Sequence, residues 1–213
     1  PNLDSILENY GVKRSSGIVV ETDSQHYYPQ MPYYLLPNIQ SDDITTEVKS
    51  NYILMPVAQA IQKLDSYRDT ITIKSLLTTT EDAYIENDPE NSTWSKSADS
   101  ETGAFDLGVS ITENLDDEKE TQIVYYSSEA LFNDQMNTMV SGANYELISA
   151  SVNWMCESEE DSNTISIASK SYDTSTLTIP AADASFWSIF VTAVVPVVIL
   201  VIGGGIWMKR RKQ

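Results

Sequence analysis

The sequence predicts an α/β fold: a layered, Rossmann-like domain with a sheet flanked by helices, followed by a single C-terminal transmembrane helix. Two observations lead to this prediction. Helical and β-like patterns alternate at short range along the first 156 residues, which is typical of α/β folds. The stretch 186–208, FWSIFVTAVVPVVILVIGGGIWM, has no charged side chain. As a helix it would span about 34 Å, enough to cross a hydrocarbon core of about 30 Å.

The flanks of this stretch predict its orientation. Trp187 and Trp207 lie near its two ends, where indole rings favour the membrane interface. Four basic residues follow at once: Lys209, Arg210, Arg211 and Lys212. Because basic residues stay on the cytoplasmic side, we expect a cytoplasmic C-terminus and an extracytoplasmic N-terminal domain. The expected localisation is the cell membrane, with a single pass in this sequence.

The sequence divides into four predicted parts. They are an extracytoplasmic α/β domain at 1–156, an acidic linker with a juxtamembrane β-hairpin at 157–185, the membrane helix at 186–208 and a basic tail at 209–213.

Charge and cysteine content limit the classes of function that the sequence can have. Before the helix, nine Lys and Arg residues face all 31 Asp and Glu residues, a net charge of −22 that repels nucleic acid and anionic lipid. The single cysteine, Cys156, leaves no partner for a disulfide within this sequence, and we expect its thiol to be buried. No export signal precedes Pro1, so we expect the ectodomain to extend further upstream.

Each predicted element has a local signal. Leu3, Ile6, Leu7 and Tyr10 form the apolar stripe of a first helix that Gly11 ends. Strands are predicted at 17–21, 52–56, 70–77 and 105–115, a weak helix at 58–67, a strand-to-helix unit at 121–136 and a last helix from Asn144, as a possible cap, to Cys156. In the strand at 105–115, Leu107, Val109 and Ile111 are expected on one face.

An aromatic segment gives the one candidate binding surface. Residues 22–40 have no period and are predicted to form a long loop or an irregular sheet edge. Tyrosines occur in two pairs there: Tyr27, Tyr28, Tyr33 and Tyr34. Exposed aromatic rings offer stacking surfaces, for example to a polysaccharide, although the same rings could simply pack over a sheet edge.

Catalytic signatures are weak. Ser127 and Ser128 lie at a strand-to-helix turn, but the G-x-S-x-G motif is missing and a helix cap is the favoured interpretation. Cys156 ends a helix instead of occupying the tight turn of a nucleophile. His26 is the only histidine, which excludes a multi-histidine metal site, and there is no phosphate-binding glycine loop. We therefore predict no catalytic, cofactor-binding or metal-binding residue. The acidic run at 157–161 is interpreted as a solvated linker and not as a calcium site.

Several segments, in order, resemble one family. They are PNLDSILENYGVKRSSGIVVE, YYLLPNIQSDDIT, SLLTTTEDAYIE, GAFDLGVSI, TQIVYYSSEALFNDQM and GANYELISASVNWM, followed by a membrane span with a basic end. Together they resemble the C-terminal part of GldG-type auxiliary proteins of ABC transport systems, known from gliding-motility loci. The resemblance implies a Rossmann-like domain without catalytic residues, tethered in a bacterial cell membrane beside an ABC permease and its ATPase. Members often have a Gly-Asp-Ser turn where this chain has Tyr126, Ser127 and Ser128, so we expect no ligand site at that turn.

Three functional hypotheses follow. The first is a non-enzymatic auxiliary subunit of an ABC transport system that binds permease, substrate or envelope. Gly203, Gly204 and Gly205 would let its membrane helix approach permease helices closely, or would merely tolerate bending in the bilayer. The second is a free-standing cell-surface domain that binds polysaccharide through the tyrosine segment. The third is an extracytoplasmic hydrolase.

Overall fold

The computed structural model describes residues 2–46, 48, 51–88, 93–116, 119–156 and 179–211. The acidic linker and most of the predicted juxtamembrane hairpin, at 157–178, lie outside the described residues, as does Lys212. The described part contains both helices and strands and ends in one long apolar helix, which confirms the coarse fold class.

The helices and strands follow in chain order. The helices are α1 (Asn2–Asn9), α2 (Asp134–Met139), α3 (Ala143–Cys156), α4 (Ala181–Ile189) and α5 (Val195–Arg211). A 3-10 turn at Glu129–Phe132 precedes α2, and a π-helical turn at Phe190–Val194 joins α4 to α5. The strands are β1 (Val12–Arg14), β2 (Ile18–Val20), β3 (Tyr27–Tyr28), β4 (Met31–Leu35), β5 (Asn38–Ile39), β6 (Met55–Pro56), β7 (Ile61–Lys63), β8 (Ile71–Thr78), β9 (Tyr84–Glu86), β10 (Asp106–Asp116) and β11 (Lys119–Tyr126).

Three sheets connect these strands. The largest has six strands in the order β1-β7-β10-β8-β5, with β11 beside β10, while β2 pairs with β9 and β4 lies between β3 and β6. All pairings between these strands are antiparallel. A Rossmann-like sheet is built from parallel strands joined by crossover helices, so this layering is not confirmed. The longest pair, β10 and β11, is instead a hairpin that closes at Asp116 and Lys119.

Two hydrophobic clusters share strand β10. Leu107 belongs to the larger cluster together with Leu147 of α3, whereas Val109 and Ile111 belong to the smaller cluster with Leu7 of α1. The prediction that all three β10 side chains share one face was therefore wrong. The register between β10 and β8 shifts on both sides of Gly108, and such a bulge re-aims the side chains that follow.

The first helix forms as predicted. Strand β1 follows after a turn in which Gly11 has a φ of 82°, a conformation that costs glycine little. Only part of the predicted stripe is covered, because Leu7 is buried while Leu3 and Ile6 are exposed. A Cβ at position 11 would also lie 2.7 Å from the ring of Tyr67, so the turn needs glycine for space as well.

Two segments differ from their predicted structure. The weak helix at 58–67 is instead occupied by strand β7, where Ile61 is buried and Lys63 pairs with Val12. Pairing with a neighbouring strand outweighs the weak helical pattern there. The segment 22–40, predicted as a loop or irregular edge, contains the three short strands β3, β4 and β5. The strand predicted at 52–56 is limited to β6.

The last helix of the domain is placed correctly, but two of its residues play different parts. Asn144 does not cap α3, since it lies inside the helix with its side chain fully buried. Its amide accepts from the Leu54 amide nitrogen and donates to the Leu54 carbonyl, both at 3.0 Å, which ties α3 to the chain before β6. Cys156 is exposed, contrary to the expected burial, because it lies in the last turn of α3.

Candidate functional site

The four candidate tyrosines lie on β3 and β4, and all are half-buried. Tyr28 and Tyr34 pack against the larger hydrophobic cluster. Tyr33 meets Tyr34 edge-on, with 5.2 Å between ring centroids. The segment thus packs partly over a sheet, as one interpretation of the sequence expected, and leaves its tyrosines partly exposed.

Trp94 joins this surface, which sequence reasoning did not foresee. Its ring centroid lies 4.5 Å from that of Tyr33, with 34° between the ring planes. The Trp94 carbonyl accepts a 2.6 Å hydrogen bond from the hydroxyl of Tyr84. Burial, and to a lesser degree the charge of Glu86, raises the pKa of Tyr84, so the hydroxyl stays a donor. The available signal was that Trp94 is the one large apolar residue of a polar loop.

Two of the four non-glycine residues with a positive φ in the described part of the chain are Trp94 itself and Val57, whose backbone bonds to that of Tyr33. Trp94 has a φ of 48° and Val57 a φ of 53°, and a positive φ is particularly unfavourable for a β-branched residue such as valine. The Val57 amide donates to the Tyr33 carbonyl at 2.9 Å. Hydrogen bonds therefore fix the backbone carbonyls of both Tyr33 and Trp94, and strained residues held in this way tend to occur at functional positions.

A polar groove of about 500 Å³ lies at the edge of the largest sheet. Ten residues line it: Asp4, Lys13, Arg14, Ser15, Ser16, Gln59, Gln62, Ile85, Asn87 and Glu101. The Arg14 Nε donates to an Asp4 carboxylate oxygen at 2.6 Å, and this guanidinium lowers the pKa of Asp4. The groove offers hydrogen-bonding groups but no nucleophile paired with a base.

The serines after β11 have structural partners. The Ser128 hydroxyl donates to the Pro56 carbonyl at 2.5 Å, and the Ser127 hydroxyl to the Leu107 carbonyl at 3.1 Å. Ser128 does occupy the cap position of the 3-10 turn, although its side chain makes no cap bond. His26 lies 3.2 Å from the Leu36 carbonyl oxygen through Nδ1. The two serine contacts hold the turn after β11 in place, whereas His26 contacts the residue that follows β4. No cluster of possible metal ligands occurs among the described residues.

The C-terminal helix runs continuously from Ala181 to Arg211 and is long and apolar enough to span a membrane. Trp187 and Trp207, near its ends, are 59% and 60% exposed. The Arg211 guanidinium lies over the Trp207 ring at 5.3 Å, an aromatic and basic pairing suited to a membrane interface. Lys209 and Arg210 are exposed in the same last turns. At Gly203, Gly204 and Gly205, a Cβ would meet no atom of the described chain within 4 Å apart from the helix's own backbone, so these positions are open to a neighbour.

The C-terminal helix is bonded to the folded domain at its first turn. Pro180 and Ala181 are buried, and the Ala182 amide donates to the Ser24 carbonyl at 3.0 Å. The Ser24 loop is braced by Glu21, whose carboxylate is 1% exposed. That carboxylate accepts bonds of 2.9 to 3.1 Å from four donors: the amides of Thr22, Asp23 and Thr80 and the Thr80 hydroxyl. The first turn of the helix is therefore bonded directly to the domain.

These observations define a class: a folded domain of strands and helices joined to one membrane-type helix, consistent with single-pass membrane anchoring. Comparisons with known proteins add no family, since no protein-family model, curated protein or solved structure matches the chain. The likeness to GldG-type proteins rests on the quoted segments alone.

Proposed function

We propose that the chain is a non-enzymatic, membrane-anchored auxiliary subunit of an ABC transport system, with its folded domain outside the cytoplasm. The observation that carries this proposal is the attachment of an exposed apolar helix to the domain through Ala182 and Ser24. Because the Ala182 amide in the first turn of the helix bonds to the Ser24 carbonyl of the domain, the domain would lie against the membrane surface. The basic residues after Trp207 would hold the C-terminus inside.

The choice of partner follows from the sequence resemblance and from what the domain lacks. A single helix cannot form a transport path, and the sequence has no nucleotide-binding glycine loop, so a permease and an ATPase would supply transport and energy. The open glycine surface at 203–205 would let permease helices approach closely. The Rossmann-like layering implied by the resemblance stays part of this proposal.

Co-purification tests the proposal. The full-length protein, tagged and extracted in mild detergent, is expected to retain an ABC permease and ATPase encoded beside it. Replacing Gly203, Gly204 and Gly205 by leucine should weaken this association, whereas replacing Val197, Val198 and Val201 by leucine is the matched control. A protein that leaves intact permease and ATPase subunits unbound would contradict the proposal.

Polysaccharide binding is the second candidate function, and the Tyr33 and Trp94 ring pair favours it. Trp94→Ala should weaken binding to an immobilised envelope polysaccharide by roughly 2- to 10-fold, as expected for losing about 0.5–1.5 kcal/mol of aromatic contact. Tyr52→Ala is the control, since Tyr52 is 43% exposed and lies outside the aromatic pair. Equal loss of binding in both variants, or no binding by the parent protein, would count against this function.

A further inference from the structure

Strand β11 forms an open edge of the largest sheet. It pairs with β10 along its length, and no strand in the described part of the chain pairs with its other side. Directly after the strand, the Ser127 amide donates to the Leu107 carbonyl at 3.0 Å. Because backbone groups alternate in direction along an antiparallel pair, the amides of Gln122 and Val124 point away from β10. Within the described part of the chain, no strand pairs with these N–H and C=O groups.

Beyond its first two residues, Lys119 and Glu120, this edge lacks the protection that sheet edges usually carry. Residues 121–126, TQIVYY, contain no charge, proline or glycine and are rich in strand-forming residues. The other edges are guarded: β1 has three residues and includes Lys13 and Arg14, and the free part of β8 carries the exposed Lys74. Natural proteins protect exposed edges from pairing with other chains by keeping the strands short and charged. An edge of this length without such protection is therefore suited to pair with another strand.

The edge is also held rigid from both faces of the sheet. Ile123 and Tyr125 pack against the smaller hydrophobic cluster, whereas Val124 and Tyr126 pack against the larger one. The Tyr126 hydroxyl lies 2.8 Å from the Ser151 hydroxyl of α3. Burial raises the pKa of Tyr126 to about 12, so this contact stays uncharged at ordinary pH. A strand fixed in this way can bind a partner without first becoming ordered.

We propose that the outer edge of β11 binds an extended segment of a different protein by strand addition, and that this segment has an uncharged, alternating centre with basic flanks. The uncharged centre matches residues 121–126. The basic flanks match the net charge of −22 before the membrane helix, which disfavours a second copy of the chain. The inference rests on the proposed function and names the kind of segment through which a partner subunit would bind.

Hydrogen exchange with designed peptides tests the edge directly. The full chain in detergent is mixed with a peptide of alternating threonine and valine carrying two lysines at each end, or with the same peptide carrying glutamates. The lysine peptide is expected to slow exchange of the Gln122 and Val124 amides at least 10-fold more than the glutamate peptide, and added salt should reduce the difference. Equal or absent protection would overturn the proposal. Slow exchange of these amides without peptide would also overturn it. Protection that is independent of protein concentration would mean that the chain itself already covers the edge. Protection that increases with protein concentration would mean that a second copy covers it.

A backbone substitution separates strand addition from side-chain contact. Gln122→Pro removes one outward N–H, which an edge strand tolerates, and should abolish protection by the lysine peptide, while Gln122→Ala should preserve it. If the proline variant fails to fold, Gln122→Glu, which adds a negative charge to the edge, should strengthen binding of the lysine peptide and weaken binding of the glutamate peptide.

Co-purification separates the two proposals: a parent protein that binds no permease refutes the proposed function. Undiminished binding of the permease by a folded Gln122→Pro variant refutes strand addition alone.

Discussion

The folded domain and the C-terminal helix use the same apolar residue types in opposite ways. Leu107 in β10 is fully buried, whereas Leu200 in α5 is 72% exposed. In the domain, packed side chains remove leucine from water, and the free energy of unfolding depends on that packing. In the helix, the described part of the chain leaves Leu200 largely exposed, which is consistent with contact to lipid. The difference separates residues that hold the fold together from residues that suit a membrane anchor.

The largest effect is expected from charges in the middle of the helix. Val198→Arg combined with Leu200→Arg should disfavour membrane insertion by about 5–7 kcal/mol, at roughly 2.5–3.5 kcal/mol for each arginine. The protein should then appear in the soluble fraction after alkaline extraction, while the corresponding double alanine variant stays in the membrane. Retention of the arginine variant in the bilayer would show that this helix is not the anchor.

A smaller effect is expected from one cavity in the core. Leu107→Ala should lower the free energy of unfolding by about 2–5 kcal/mol, because neighbours close the space left by leucine only in part. Leu200→Ala, which removes the same atoms from the exposed helix, should leave unfolding of the domain unchanged. Urea denaturation followed by tryptophan fluorescence measures both, and equal losses would contradict the assigned division.

Local patterns with a strong physical cause could be predicted from the sequence. The uncharged stretch of 186–208 lies within the long helix, and the periodic apolar positions of α1 and α3 form helices close to the expected bounds. Strand β10 was also predicted, because alternation over that many residues fits only a strand. These features depend on near neighbours along the chain.

What could not be predicted depends on distant residues. Ile61 lies in a strand because β7 pairs with β1 on one side and with β10 on the other. The residues around Ile61 do not indicate these pairings. Asn144 looks like a helix cap but bonds to Leu54, far away in the chain. Likewise, Trp94 joins the candidate aromatic surface only because its loop folds back onto Tyr33.

The smallest expected effect is a pH dependence of the free energy of unfolding, caused by Glu113 in β10. The Arg68 guanidinium, 2.6 Å from the Glu113 carboxylate, and to a lesser degree Thr70, lower the pKa of Glu113 below its usual value of 4.5. A depressed pKa gives stability that is present above the unfolded value and is lost as pH falls through the folded value. The free energy of unfolding of the parent protein should therefore exceed that of Glu113→Gln at pH 7, and the difference should shrink below about pH 4.

Paired urea titrations at pH 7 and at pH 3 measure this difference. Glu8→Gln, at an exposed position of α1, is the control and should show little difference at either pH. A gap between the parent protein and Glu113→Gln that widened in acid would contradict the role of the Arg68 pair.

Labelling of the single cysteine tests the membrane arrangement most directly. Cys156 is exposed at the end of α3, so a maleimide that cannot cross membranes should label it in intact spheroplasts. With Cys156→Ser and a new cysteine at position 213, labelling should require detergent. The opposite pattern, with Cys156 protected and the C-terminal cysteine labelled in intact spheroplasts, would place the folded domain in the cytoplasm and contradict the account.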